Sequence, residues 1–425
     1  MSVRYHVAVR RPTDDRLLVL RDGALPGFAL EVAPSWPEVT PVVDAMRALG
    51  LEVVALRAAW VDDPRLTVAG GSDRLYEVAY VGGSPPEGAD WIPLEALERR
   101  PTPLGQAIDA GVLEPAAGAH QPWYRPDWAS DMTAWIDEAL AAVGRRRTAP
   151  IRQVRSWGRS ALLSVETDGG RLWAKQVPAV FAHEVAVSAL LADLDPGIVP
   201  PLVAGDVAAG RLLMEHVDGP LLTDVSDPGP WMATISRLAE LQHVLAADTL
   251  ALEVAGVPHA SSAELAARLP TLAHESPGWA GLRASLDARL TDLERLEGSS
   301  VGRSLDHGDL TARQVIVGEM GPVFLDWSDA TIAHPYLAAA SFLGDAMMSS
   351  GGVPVGGVGP LGDAYLVGWR TASDAGRAEL DAAGRVQPLH MARQCQDRML
   401  SGLEQPWELA WLIPWLLDHA TGAAR

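Results

Sequence analysis

A histidine, two aspartates and a glutamine between Leu305 and Asp329 are the residues whose types and spacing could do chemistry. The stretch reads Leu-Asp-His-Gly-Asp-Leu-Thr-Ala-Arg-Gln-Val-Ile-Val-Gly-Glu-Met-Gly-Pro-Val-Phe-Leu-Asp-Trp-Ser-Asp. It holds a His307-Gly308-Asp309 loop, then residues that predict a β-hairpin (Val315 to Val317, a Gly-rich turn, Val323 to Leu325), then Asp326 at the end of the second strand. Transfer of a phosphoryl group to a hydroxyl asks for such a set. One carboxylate accepts the proton of the incoming hydroxyl, while a second acid and an oxygen ligand beside it fix Mg2+ against the phosphates. A hairpin brings both acids to one edge. The same aspartates could equally be turn formers that bond to their own backbone, so the assignment needs support from another part of the chain.

That support comes from a lysine and a glutamate upstream. Lys175 ends the strand-like run Arg171-Leu-Trp-Ala-Lys175, and Glu184 falls on the helix predicted from Phe181 to Leu194. A strand lysine paired with a helix glutamate is how kinases hold the α- and β-phosphates while keeping a buried ammonium satisfied. A surface ion pair would look the same in sequence. In the protein-kinase signature an amide ligand follows the base five positions later, and the metal-binding Asp lies beyond a short hairpin. Asp309, Gln314 and Asp326 keep that spacing, with Gln where the signature has Asn. The turn Ser156-Trp-Gly158-Arg-Ser160 lies just ahead of Lys175, where a phosphate-covering loop belongs, but lacks a full Gly-x-Gly-x-x-Gly. The run from Met214 through Glu215 to Val217 leaves a strand and breaks at Gly219. In a kinase such a segment is the hinge whose main-chain groups bond adenine.

The elements that must position these residues follow from hydrophobic periodicity. Short β-type runs at 6–10, 16–21, 27–32, 52–61 and 74–81, with one helix from Pro37 to Leu49 stopping at Gly50, give a small α+β module over residues 1–115. The Pro-, Gly- and Ala-rich stretch 116–126 reads as a linker. A helix from Trp128 to Val143 and strands at 151–157, 161–167, 171–176, 201–205 and 211–215, with the helix at 181–194 inserted, predict a β-rich lobe over 127–218. Residues 219–425 turn mainly helical, with helices expected at 231–247, 262–269 and 281–296 and a loop over the Gly-rich stretch 349–362.

Composition sets the wider bounds. The chain has 425 residues, 48% hydrophobic and 21% charged, enough for several packed cores. A formal charge of -20 repels a phosphate backbone, so nucleic acid is not an expected partner. No run approaches the roughly eighteen apolar residues that cross a bilayer, so no membrane is expected and a cytoplasmic protein is anticipated. The single cysteine, Cys395, cannot form an intramolecular disulfide or by itself a structural zinc site.

Together these residues resemble the aminoglycoside phosphotransferase and choline kinase superfamily over about Ile151 to Leu343. The Asp326-Trp-Ser-Asp-Ala330 run matches that family's habit of following its metal Asp with Trp and a small residue. The resemblance implies a protein-kinase-like bilobal α+β fold, ATP and Mg2+ as cofactors, and a small molecule bearing a hydroxyl as acceptor. It makes Asp309 the base, with His307 and Lys175 in the catalytic set, and Gln314 and Asp326 the metal ligands. Lys175, Glu184, Ser160, Met214, Glu215 and Val217 become the nucleotide-binding residues. Gln314 departs from the family's Asn, and His334-Pro-Tyr-Leu-Ala338 stands where relatives often begin Asp-Pro and carry a later Asp. The N-terminal module is similar to a Nudix fold in its order of strands and single helix. Arg47 and Ala48 replace the metal-binding Glu pair of that family, so a degenerate binding or scaffolding module is expected.

Acceptor contacts are sought among Asp345, Asp397, Glu404 and Glu408, although most charges of this kind belong to solvated faces. Trp407, Trp411 and Trp415 recur at helical spacing and read as a stripe, more often core than ligand platform. Pro414 is expected to kink or end that helix.

Overall fold

Strand β1 (Val3–Arg11) buries Val3, Tyr5, Val7 and Val9 on one face and Ala8 on the other, so the sheet it centres must be covered on both sides. The computed structural model describes residues 2–62, 73–98, 100–114, 121–348 and 359–421, and shows that sheet. β2 (Arg16–Val19) and β3 (Gly27–Leu30) pair antiparallel with β1; α1 (Thr40–Ala48) follows, then β4 (Leu51–Val61), β5 (Asp73–Gly83) and β6 (Asp90–Ile92). β5 runs parallel to β1, and the order is β4-β5-β1-β2-β6. Val42, Val43 and Met46 of α1 cover one face; Ile108 of α2 (Pro103–Asp109) and Leu113 cover the other.

α1 begins three residues later than the sequence suggests, because the preceding backbone is spent elsewhere. Val39 N donates to Val154 O at 2.9 Å, and Glu38 bridges to Arg155. These bonds go to β7 (Arg152–Trp157), which follows α3 (Trp128–Ala142) and opens an antiparallel meander with β8 (Ser160–Thr167) and β9 (Gly170–Gln176). Gln153 brackets Ala55, receiving its N–H at 2.8 Å and donating to its carbonyl at 2.7 Å; Ser156 Oγ donates to Leu56 O at 2.6 Å. The meander and the first sheet therefore pack as one unit, Met1–Pro178 with Gly402–Glu408. Of the stretch read as a linker, residues 116–120 lie outside the described residues. Pro122–Tyr124 form a turn that buries Trp123 and Tyr124.

The second unit holds Ala179–Ser401 and Leu409–Arg425. It opens with α4 (His183–Leu194) and a hairpin of β10 (Leu202–Asp206) and β11 (Arg211–Glu215), and then becomes helical. α5 (Pro228–Leu245), α6 (Leu250–Val254), α7 (Ser262–Glu275) and α8 (Leu286–Glu297) precede four short strands. These strands are β12 (Ser304–Asp306), β13 (Val315–Gly318), β14 (Gly321–Phe324) and β15 (Thr331–Ala333), paired β12 with β15 and β13 with β14. α9 (Tyr336–Met348), α10 (Gly359–Gly368), α11 (Asp374–Gln394), α12 (Trp407–Ala410) and α13 (Leu412–Thr421) complete the chain.

The α+β class expected from the sequence holds. The expected loop at 349–362 falls largely outside the described residues, and its last four residues open α10. Among the described residues, no helix is long and apolar enough to cross a membrane. Cys395 is buried, its thiol 3.9 Å from Leu409 O. The tryptophan stripe does not form: Trp407 packs on Trp36, whereas Trp415, on α13, lies against His419 with the rings tilted and is 38% exposed. Pro414 sits in the first turn of α13, where its missing N–H costs nothing.

Candidate functional site

β12 and β15 pair with Asp306 opposite Thr331, and the chain leaves β12 directly into His307, Gly308 and Asp309. Gln242 of α5 steadies that exit: its amide donates to Leu305 O at 2.8 Å and Pro335 O at 3.1 Å, and its carbonyl receives Tyr365 Oη–H at 2.7 Å. Further along, Asp345 of α9 accepts Ala312 N–H at 2.8 Å, so this acid braces the loop between Asp309 and Gln314.

The decisive geometry lies at Leu325, the residue before Asp326. Its N–H donates to Gln314 O at 2.8 Å, and its carbonyl accepts His307 Nε2–H at 2.9 Å. Two hydrogen bonds thus fasten the loop carrying Asp309 and Gln314 to the strand end that presents Asp326. His307 is fully buried, with its ring 4.5 Å from that of Trp327; burial pulls its pKa below the usual value, which favours the neutral ring. Asp326 adopts a left-handed backbone (φ 61°, ψ 68°), a conformation Asp tolerates, and its Oδ1 receives Ser328 Oγ–H at 2.7 Å. Replacing His307 with Phe keeps a ring against Trp327 but removes the hydrogen bond to Leu325 O. Denaturant unfolding should then show a loss of about 1–3 kcal/mol, and a stability unchanged from wild type would remove His307 from this role.

Glu184 lies buried in the first turn of α4, and α4 packs on the turn Trp327–Asp329. His183, beside it, is held among the carbonyls of Ser328 and Ala330, the Asp329 carboxylate and the Arg398 guanidinium. Arg398 rests over the Phe181 ring and points an Nη2 toward Asp329 O at 3.5 Å, from a π-helical turn, Cys395–Met399, that ends α11. Met214 and Glu215 end β11, and Glu215 N donates to Pro201 O at 2.9 Å, while the side chain of Val217 comes up against Gly318 of β13. The second unit therefore joins His307 and Gln314 to Leu325, beside Asp326, brings Val217 against β13, and packs the helix of Glu184 on the turn that follows Asp326.

Lys175 and Ser160 belong to the first unit. Lys175 is 8% exposed on β9, opposite Leu162 of β8. Ser160 Oγ accepts the Trp157 indole N–H at 3.1 Å across the turn. The proposed acceptor contacts need correction. Glu404 is bound to Arg57 at 3.2 Å, Asp397 pairs with Arg268 and Arg393, and Asp345 braces a loop. Glu408, expected on a solvated face, is fully buried and receives Gly158 N–H at 2.5 Å. Distant partners, not local sequence, decide each case. His183 and Arg398 escaped the sequence reading altogether; only the position of His183 beside Glu184 could have pointed to it.

Burial also sets the pH response. His183 and His334 are each lowered to about 4 by burial, and His307 is lowered for the same reason. The stabilisation from His183 and His334 is complete above the ordinary 6.5 and is lost as pH falls toward about 4. Glu408 is raised by burial from 4.5 to about 8, so its contribution is complete below 4.5 and lost as pH rises through about 8. The thermal midpoint should therefore fall on both sides of a maximum near neutrality. Glu408→Gln should remove the alkaline decline alone; an unaltered alkaline limb in that variant would contradict the assignment.

Among the described residues no three His, Cys, Asp or Glu form a metal cage. A carboxylate and an amide oxygen, the types that Asp326 and Gln314 carry, are donors that Mg2+ accepts, with phosphate and water completing its shell. No family model matches the sequence, and no curated protein matches it. Similar solved structures include the GDP complex of wild-type aminoglycoside 2'-phosphotransferase-IIIa, 16% identical, over 70% of this chain and 99% of that chain, TM-score 0.49. Choline kinase LicA from Streptococcus pneumoniae is 14% identical over 69% of this chain and 99% of that chain, TM-score 0.47. Macrolide 2'-phosphotransferase MphH from Brachybacterium faecium, an apoenzyme, is 14% identical over 68% and 99%, TM-score 0.45.

Proposed function

We propose that the chain transfers the γ-phosphoryl group of ATP to a hydroxyl of a small molecule such as an aminoglycoside, a sugar or an amino alcohol. The observation that carries this reading is the double hydrogen bond at Leu325, which ties the segment of Asp309 and Gln314 to Asp326. Turn-forming aspartates would not need that cross-link.

In this reading Asp309 accepts the hydroxyl proton as the oxygen bonds to the terminal phosphorus and the bond from that phosphorus to the β–γ bridging oxygen breaks, with ADP as the leaving group. Asp326 and Gln314 would hold Mg2+, which when bound neutralises charge on the phosphate oxygens. Lys175 and Glu184 form the phosphate-positioning pair, the Trp157–Ser160 turn covers the phosphates, and the main chain at 214–217 meets the adenine. His307 keeps Asp309 and Asp326 in register. The N-terminal module, with Arg47 and Ala48 where a Nudix enzyme carries its acids, serves as a scaffold.

A second reading, a nucleotide-binding protein without turnover, draws on Gln314, whose extra methylene must be accommodated at an ion strict about geometry. ATP consumption across a panel of amino alcohols, sugars and aminoglycosides separates the two, with Asp309→Asn as control. Turnover on one class that the control abolishes supports transfer. Mg2+-dependent nucleotide binding without turnover on any member supports the second reading.

A further inference from the structure

Between Ser401 and Leu409 the chain leaves the second unit and contributes Gly402–Glu408 to the first. We propose that this segment is a strap through which the N-terminal sheet holds the Trp157–Ser160 turn in its phosphate-covering shape, with Glu408 as the positioning residue. The inference rests on the phosphotransfer reading given above.

The strap is anchored in the N-terminal module at three points. Glu404 takes a hydrogen bond from Arg57 Nη1 at 3.2 Å, and Arg57 is itself held by Glu77 at 2.6 Å. With its amide oriented to satisfy its neighbours, Gln405 donates to Ala58 O at 3.0 Å and to Glu408 Oε1 at 3.2 Å. The Trp407 ring packs on Trp36, 5.6 Å between centroids.

The far end of the strap grips the turn. Glu408 Oε2 accepts Gly158 N–H at 2.5 Å, and Oε1 lies 3.4 Å from Tyr124 Oη. Gln121 closes the loop from the other side, its amide donating both to Gly158 O at 3.1 Å and to Gly402 O, the start of the strap, at 2.9 Å. Trp123 Nε1–H donates to Trp157 O at 2.9 Å.

The apex of the turn is thus fixed by residues drawn from the strap and from 121–124. A buried carboxylate is a costly way to satisfy one glycine N–H, which a backbone carbonyl could satisfy more cheaply. Gly158 has no room for a side chain here, since a Cβ would lie 2.5 Å from Glu408 Oε2.

The test uses the full chain and calorimetric titration with MgATP and with adenosine, which lacks the phosphates. Glu408→Ala should weaken MgATP binding by about tenfold while adenosine changes less than about twofold. Glu408→Gln, which keeps a carbonyl acceptor for Gly158 N–H, should recover most of the loss. Gly158→Ala, which evicts the carboxylate from the opposite side, should reproduce it, and the double variant Gly158→Ala with Glu408→Ala should be no weaker than either single one. Near-UV circular dichroism checks that each variant is folded. Equal weakening of both ligands would reduce Glu408 to a stability role and overturn the proposal. Unchanged MgATP binding would also overturn it, as would tighter binding, which would make Glu408 a competitor of phosphate. A wild-type chain that binds adenosine but gains nothing from the phosphates would sink the phosphotransfer reading itself, whatever the variants do.

Discussion

Asp309→Asn should lower kcat by about two to four orders of magnitude while MgATP still binds within a few-fold of wild type. Asparagine matches aspartate in shape, so the loop held by His307, Gln314 and Asp345 keeps its bonds; only the capacity to take a proton disappears. The acceptor's hydroxyl would then have to lose its proton to water, a far weaker base than a carboxylate. Steady-state turnover with the best acceptor of the panel, set beside calorimetric MgATP affinity, separates chemistry from binding. A variant that keeps most of its turnover would show that Asp309 is not the base.

Gly308→Ala is the second large effect, and it acts through the backbone. Gly308 has φ +83°, and a Cβ there would lie 2.3 Å from Asp329 O and 2.8 Å from its carbonyl carbon. Two terms add: about 1–2 kcal/mol for a left-handed alanine, and about 1–3 kcal/mol for forcing atoms into a filled space. The displaced atoms belong to the turn after Asp326, so the two halves of the site would move apart together. A drop in unfolding free energy of about 3 kcal/mol, with turnover reduced at temperatures where the variant stays folded, is the expected result. Wild-type turnover in a folded Gly308→Ala would mean that the contact between the Asp309 loop and the Asp329 turn does not matter for the site.

Much of this site was legible in the sequence because its geometry is local. Asp309, Gln314 and Asp326 lie within one loop and one hairpin, and alternating Val315, Val317, Val323 and Leu325 with a Gly-rich turn read as that hairpin without tertiary information. Lys175 and Glu184 each lie on the element that their local period predicts, β9 and α4.

What was not legible depends on distant partners. Glu408 is 250 positions from Gly158 and 284 from Tyr124, and an isolated glutamate belongs on the surface by every local criterion. The tryptophan spacing is truly helical, but Trp407 follows the strap into the first unit while Trp411 and Trp415 stay in the second. The composition of 116–126 hid two aromatic side chains, Trp123 and Tyr124, which are buried against the elements on either side. In each case tertiary packing overrode a correct local signal.

The central claim is that Asp326 and Gln314 hold a divalent ion against a triphosphate whose terminal phosphorus faces Asp309. A crystal structure with Mn2+ and a non-hydrolysable ATP analogue tests it most directly, because the anomalous signal of manganese fixes the ion without ambiguity. The account requires that signal beside the Asp326 carboxylate, with the γ-phosphate on the side of Asp309. Manganese bound elsewhere, or a triphosphate turned away from Asp309, would contradict it.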